Sequence, residues 1–173
     1  TFAELSASKL SDNEGSDSIS FANLLRTPDA VGGRQSLVMQ SVGAFAVRDK
    51  NWKLCLCPGS GTPGSGGNAT GNDPAPDVAW REALEKFKGK PTDSDLLRPP
   101  FVQLFDLAED PHEDRNLAVE HPARVKKMVA LLQQQVKNGR STPGPKLKND
   151  KHVKIVNISD RRLPVVLRER LAQ

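Results

Sequence analysis

The sequence predicts an α+β fold, a small four-stranded antiparallel sheet with a C-terminal helix packed on it, and three observations carry the prediction. First, Ser36 to Ser41, Ala44 to Asp49 and Trp52 to Cys57 are runs of strand type, separated by Val42-Gly43 and Lys50-Asn51. Two-residue gaps between strand runs are the spacing of antiparallel hairpins. Second, Phe101 to Leu107 alternates well enough to supply a fourth strand. Third, from Ala123 onward Val125, Met128, Val129, Leu132 and Val136 recur at intervals of three and four, the period of a helix with one buried face. That face needs a partner, and the sheet is the only large surface the rest of the sequence offers.

The remaining elements follow in order. Residues 1–10 read as the end of a helix, with Phe2, Leu5 and Ala7 apolar, before a polar run from Ser11 to Ser18. Ser18-Ile19-Ser20-Phe21 opens a second short apolar piece through Leu25, stopped by Thr27-Pro28 and Gly32-Gly33. Alternation in the second strand run puts Phe45 and Val47 on one face and Arg48 on the other. Residues 58–76 hold six glycines and four prolines and read as a loop. Val78 to Lys88 returns to helical spacing, with Val78, Leu84 and Phe87 as the buried stripe and Arg81, Glu82, Glu85 and Lys86 outside it. Pro99-Pro100 breaks the chain and Asp110-Pro111 turns it. Pro122 suits the first turn of the long helix, and Gly139 its C-terminal cap. Beyond Arg140, Ser141 to Pro145 reads as a linker into a tail in which Val153 to Ile158 forms a strand and Val165 to Leu171 a short helix. The predicted boundaries are therefore 1–30, a connector; 31–139, the sheet with its helices; and 140–173, linker and basic tail.

Composition bounds the function classes. Of 173 residues, 36% are hydrophobic, with 13 glycines, enough for a core in part of the chain. No apolar run approaches the roughly 18 residues of a membrane span, and no charged-then-apolar leader opens the sequence. The chain begins at Thr1 rather than Met and is expected to be cut from something longer, so a missing leader says nothing of compartment. Two cysteines exclude a disulfide framework. Residues 1–145 hold 17 basic and 18 acidic side chains, residues 146–173 hold 8 and 3, so the net charge of +4 sits in the tail. The tail has no aromatic residue on which bases could stack, and nucleic acid is not expected as a partner.

Motif by motif, no catalytic constellation emerges. Gly59-Ser60-Gly61-Thr62-Pro63-Gly64 formally matches a dinucleotide fingerprint, but Pro63 removes a donor and no helix follows. Cys55 and Cys57 lie two apart on a strand and point to one face; a disulfide between them would be strained, zinc would need more soft ligands, and two reduced thiols packed in or near a cleft are the expectation. His112 stands among Glu109, Asp110, Glu113 and Asp114, a charged surface turn without the spacing of a calcium loop. His121 before Pro122 reads as helix-entry chemistry. Asn68-Ala69-Thr70 is a formal glycosylation sequon. Nothing marks any serine as activated.

Several stretches nevertheless resemble the C-terminal end of the sulfatase family, above all bacterial arylsulfatases. Thr1-Phe2-Ala3-Glu4-Leu5 through Leu10 resembles the end of the family's "LPT-x-x-x-LAG-x-x-LP" segment, and Asp17-Ser18-Ile19-Ser20-Phe21 the "DS-x-SF" that follows. Phe45-Ala46-Val47-Arg48 with Trp52-Lys53-Leu54 is similar to the hairpin "FA-I/V-R-x-G-x-WKL", with Lys50-Asn51 in place of its glycine turn. Leu104-Phe105-Asp106-Leu107, Asp110-Pro111 and Asn116-Leu117 resemble "LYDL-x-x-DP-x-E-x-x-NL", with Phe105 for the tyrosine; Glu120-His121-Pro122 continues it, and Asn138-Gly139 through Gly144 resembles the closing "GRSTPG". The set covers most of residues 1–145 in the family's order. The tail beyond Asn149 has no counterpart.

The resemblance implies that residues 1–30 end a preceding catalytic domain, which is the missing partner, and that residues 31–139 are the family's C-terminal subdomain. It implies a parent that hydrolyses sulfate esters with a formylglycine made from a C/S-x-P-x-R motif, beside calcium, and that is periplasmic or secreted. The apparatus is not in this sequence: in Cys57-Pro58-Gly59-Ser60 the proline stands one place early and no arginine follows. The chain alone is expected to be inactive, with no cofactor of its own. Its implied contribution is to the rim of the substrate cleft, from Gln40 and Ser41 at the end of the first strand, Cys55 and Cys57 in the third and the glycine loop; the alternative at each is packing or turn closure alone. The rival reading is a stand-alone, non-catalytic interaction module with a basic tail.

Overall fold

A computed structural model describes residues 1–27, 29–41, 44–58, 76–88 and 91–156, with the backbone alone at Ser41 and 76–80. The sheet is a meander in the order β1 (Ser36–Ser41), β2 (Ala44–Asp49), β3 (Trp52–Cys55), β4 (Gln103–Asp106), every neighbouring pair antiparallel. Among the described residues four α-helices complete it: α1 (Phe2–Leu5), α2 (Ala22–Arg26), α3 (Pro76–Lys86) and α4 (Pro122–Asn138). The fold is α+β, as the hairpin spacing and the helical period predict.

Register decides which residues meet. Val38, Val47, Leu54 and Leu104 lie opposite one another and form one row across the sheet. Alternation places Ser36, Asp49 and Trp52 on that same face, and α4 packs there. Gln135 Nε2 donates to Ser36 Oγ at 2.8 Å, Lys127 lies 3.8 Å from Asp49, and His121 meets Trp52 edge-on, ring centroids 5.3 Å apart. Buried Val125, Met128, Val129 and Leu132 of α4 join Val47, Leu54 and Leu104 in one core cluster. The opposite face carries Lys53, Cys55, Gln103 and Phe105. The Glu113 carboxylate reaches it and takes two hydrogen bonds from Lys53 Nζ, at 2.5 and 2.8 Å. From α3, Ala83 and Leu84 enter the core, and Phe87 stacks at a tilt on Phe101, 5.2 Å between centroids.

The structure shortens two predicted strands. β3 stops at Cys55, although the Leu56 amide still donates to the Phe45 carbonyl at 2.8 Å, and Cys57 lies beyond the strand. β4 begins at Gln103 because the 3₁₀ turn Asp95–Leu97 and the prolines shape residues 95–102. The predicted strand at Val153–Ile158 does not form in its described part, 153–156, although Val156 is buried. The outer edge of β4 is already occupied. Asn116 Oδ1 accepts from the Leu104 amide, and the Leu117 amide donates to the Leu104 carbonyl at 2.7 Å. Residues 153–156 therefore settle irregularly beside Asp93, Leu97 and Gln133. Val42-Gly43, residues 59–75 and the helix predicted at Val165–Leu171 lie outside the described residues.

The end of α4 is closed by Gly139 at φ 64°, where the Gly139 amide donates to Val136 and the Arg140 amide to Gln135, the pattern of a Schellman cap. The chain then folds back. The Leu147 amide donates to the Asn138 carbonyl, and a Cβ on Gly139 would collide with the Leu147 carbonyl. Residues 140–142 clamp the N-terminal segment: Arg140 Nη1 donates to the Asp12 and Pro145 carbonyls, the Ser141 amide to Asp17 Oδ1 at 2.8 Å, and the Thr142 hydroxyl to the Ser16 carbonyl. Among the described residues no helix is long and apolar enough to cross a membrane.

Candidate functional site

Antiparallel pairing gives the sheet two ends, and the residues of chemical interest divide between them. At one end β1 finishes, β2 begins, β3 finishes and β4 begins, so Gln40, Ser41 and Cys55 lie at the same end of the sheet, Gln40 on the α4 face and Cys55 on the other, with Cys57 just beyond. Gln40 is exposed opposite Phe45, and Ser41 pairs with Ala44. Cys55, paired with Ala46 and Gln103, and Cys57 are both buried in the core and form no disulfide.

The other end carries a feature that reading the sequence missed. The start of β1 and the turn between β2 and β3 border an open cleft of about 340 Å³, lined by Arg34, Gln35, Ser36, Leu37, Arg48, Lys50 and Asn51, all but Ser36 exposed. Three of these are cations and none is an acid. Register creates the grouping: Ser36 pairs with Asp49 and Leu37 with Arg48, bringing residues 34–37 against 48–51. The signal that could have found it was the two-residue gap at Val42-Gly43, which fixes that register once the hairpin is accepted.

The cations are held in place by neutral groups. Arg34 donates to the Ser36 carbonyl at 3.3 Å and to the Asp17 carbonyl at 2.9 Å, and Arg48 Nε donates to the Lys50 carbonyl at 2.8 Å. Among the described residues, none of the three takes part in an ion pair. Asp49, the one acid in this stretch, lies on the α4 side with Lys127. Lys50 sits at φ 55°, a conformation that costs a residue with a Cβ about 1–2 kcal/mol.

No family model matches the chain. No curated protein matches it either. Among solved structures it is similar to a Bacteroides thetaiotaomicron chain described by the words "metabolism of multiple glycosaminoglycans" and labelled "6S-sulf". The two are 24% identical at a TM-score of 0.48, over 77% of this chain and 22% of that one. The chain thus spans 22% of the length of that neighbour.

The acidic turn around His112 is structural. Asp110 accepts from the Asp114 and Arg115 amides at 3.0 and 2.9 Å, and these bonds, that from Arg115 first, hold its carboxyl below the usual range. Glu113 at φ 61° is turned to Lys53. Among the described residues no three His, Cys, Asp or Glu side chains converge as a metal site. The cleft at Arg34, Arg48 and Lys50 offers donors and positive charge, an arrangement for holding an anion.

Proposed function

We propose that these residues form the C-terminal subdomain of an arylsulfatase-like sulfuric ester hydrolase, completing its fold and bordering its substrate cleft, with the catalytic domain elsewhere in a longer protein. What supports the reading most is that the motifs resembling the family, scattered over 140 residues of sequence, meet in space. Trp52 of the hairpin motif packs on His121 of Glu120-His121-Pro122 and lies 4.9 Å under the Arg124 guanidinium. Lys53 beside it pairs with Glu113 of the Asp110-Pro111 motif. Residues 140–142 of the closing motif bind residues 12–17, where the "DS-x-SF" motif begins. Segments that depend on one another in this way are expected to persist together.

A second support is the N-terminal segment. Phe2 and Val31 are each 86% exposed, and Leu5, Leu10, Phe21 and Leu25 are exposed with them. Large apolar side chains left exposed in this number over one short stretch of chain are what the docking of another body would cover. In this reading that body is the catalytic domain, which would also carry the calcium and the formylglycine. The sheet end bearing Gln40 and Ser41 faces its cleft, with Cys55 and Cys57 buried at the same end, and the parent is periplasmic or secreted.

The test is the reading frame upstream of Thr1. A C/S-x-P-x-R motif is expected there, and the extended protein should hydrolyse 4-nitrophenyl sulfate while the 173-residue chain does not. A continuous frame without that motif, or turnover by the chain alone, would overturn the proposal.

A further inference from the structure

The cleft between β1 and the β2–β3 turn lies at the opposite end of the sheet from Gln40 and Ser41, so the reading above gives it no task. Its chemistry is nevertheless specific. Two arginines and a lysine line the cleft, and none of the three has a carboxylate partner among the described residues. The guanidiniums are aimed by backbone carbonyls, which fix direction without cancelling charge. Arg48 uses Nε for that purpose, and both its Nη groups remain without a described partner, the pair that matches two oxygens of an oxyanion.

Lys50 is the first residue of the two-residue β2–β3 turn, where a hairpin itself calls for positive φ, and that turn presents its ammonium without an ion-pair partner among the described residues. Beside the cations the cleft is lined by Gln35 and Asn51, whose side chains end in amides, and by the exposed Leu37. Amides match hydroxyl groups, and an exposed leucine matches the apolar face of a ring. The lining holds no aromatic ring for a base to stack on.

We propose that this cleft binds a tetrahedral oxyanion, a sulfate or phosphate group, carried on a small hydroxylated molecule such as a sugar. The proposal stands apart from the sulfatase reading: it is tested on this chain alone, whereas that reading stands or falls on the upstream sequence. The experiment is nuclear magnetic resonance titration of the ¹⁵N-labelled 173-residue chain with glucose 6-sulfate, glucose 6-phosphate, sodium sulfate and glucose. The two esters should shift amides of residues 34–37 and 48–51, and glucose should not. Arg48→Gln should weaken ester binding about tenfold, the loss expected for one charge-assisted contact. Lys50→Gly should weaken it while leaving the melting temperature equal or higher, which separates lost binding from lost folding. Lys126→Gln, an exposed cation on α4, should change nothing.

Sodium sulfate binding as tightly as the esters supports oxyanion recognition and names the free ion as its source. Esters binding more tightly supports the carried group. Glucose shifting the same amides as strongly, shifts spread along the basic tail, or affinity untouched by both Arg48→Gln and Lys50→Gly would overturn the proposal. So would an equal loss with Lys126→Gln, which would reduce the effect to net charge.

Discussion

Asp95 shows how much one side chain can organise. Oδ2 accepts from both the amide and the hydroxyl of Thr92, at 2.9 and 2.7 Å, and Oδ1 pairs with Arg98. The Thr92 hydroxyl first and Arg98 second hold its carboxyl down to about 2, from an ordinary 3.8. A depressed acid stabilises the folded state at pH above its unfolded value, and that contribution disappears as pH falls through the folded value. Stability carried by Asp95 is therefore complete above about pH 4 and lost on the way to about pH 2. Asp95→Asn should flatten the fall of the urea midpoint across that window. A fall as steep in the variant as in the parent chain would remove Asp95 from the account. Nothing in Thr92-Asp93-Ser94-Asp95 marks the last of four polar residues as the buried one. The carboxylate's partners are local, but its burial is set by residues 96–102.

At the scale of elements the sequence was most legible where local rules and burial agree. The hairpins are set by two-residue gaps, and α4 by a stripe between a first-turn proline and a glycine cap; both form where expected. Strand ends were less legible, because a strand continues only while a neighbour supplies hydrogen bonds, and no local pattern announces that β3 stops after Cys55. The segment at 153–156 failed as a strand for the same reason, since its natural edge is taken by Asn116 and Leu117. The basic cleft was missed because its cations come from two strands and a turn, and each alone reads as a solvated charge. In α4 the energetic weight lies on the stripe. Met128 is completely buried between the helix and the sheet, and Met128→Ala should cost about 2–5 kcal/mol, as truncations of large core side chains do. Equilibrium urea unfolding would measure it, and a loss under about 1 kcal/mol would mean that α4 is not the main cover of the sheet.

For the whole molecule, the arrangement is a core closed by a clasp. The core lies on the α4 side of the sheet and around Phe101 and Phe105. The clasp is the contact of residues 140–142 with residues 12–17, where Arg140, Ser141 and Thr142 hold segments more than 120 positions apart in the chain. The sequence showed the motif but not its use, since Ser141 to Pro145 reads as a linker on composition alone. That clasp also fixes an order of events. Closing so long a loop carries an entropic penalty that grows with its length, whereas the hairpins and α4 close over a few residues. The clasp is thus expected to be absent from the folding transition state, and a late contact governs escape rather than arrival. Arg140→Ala should leave the refolding limb of a chevron plot unchanged and raise the unfolding limb; slower refolding instead would place the clasp in the nucleus. The residues that tie the two ends together would then act as a latch on the folded state, setting how long the molecule stays folded rather than how quickly it folds.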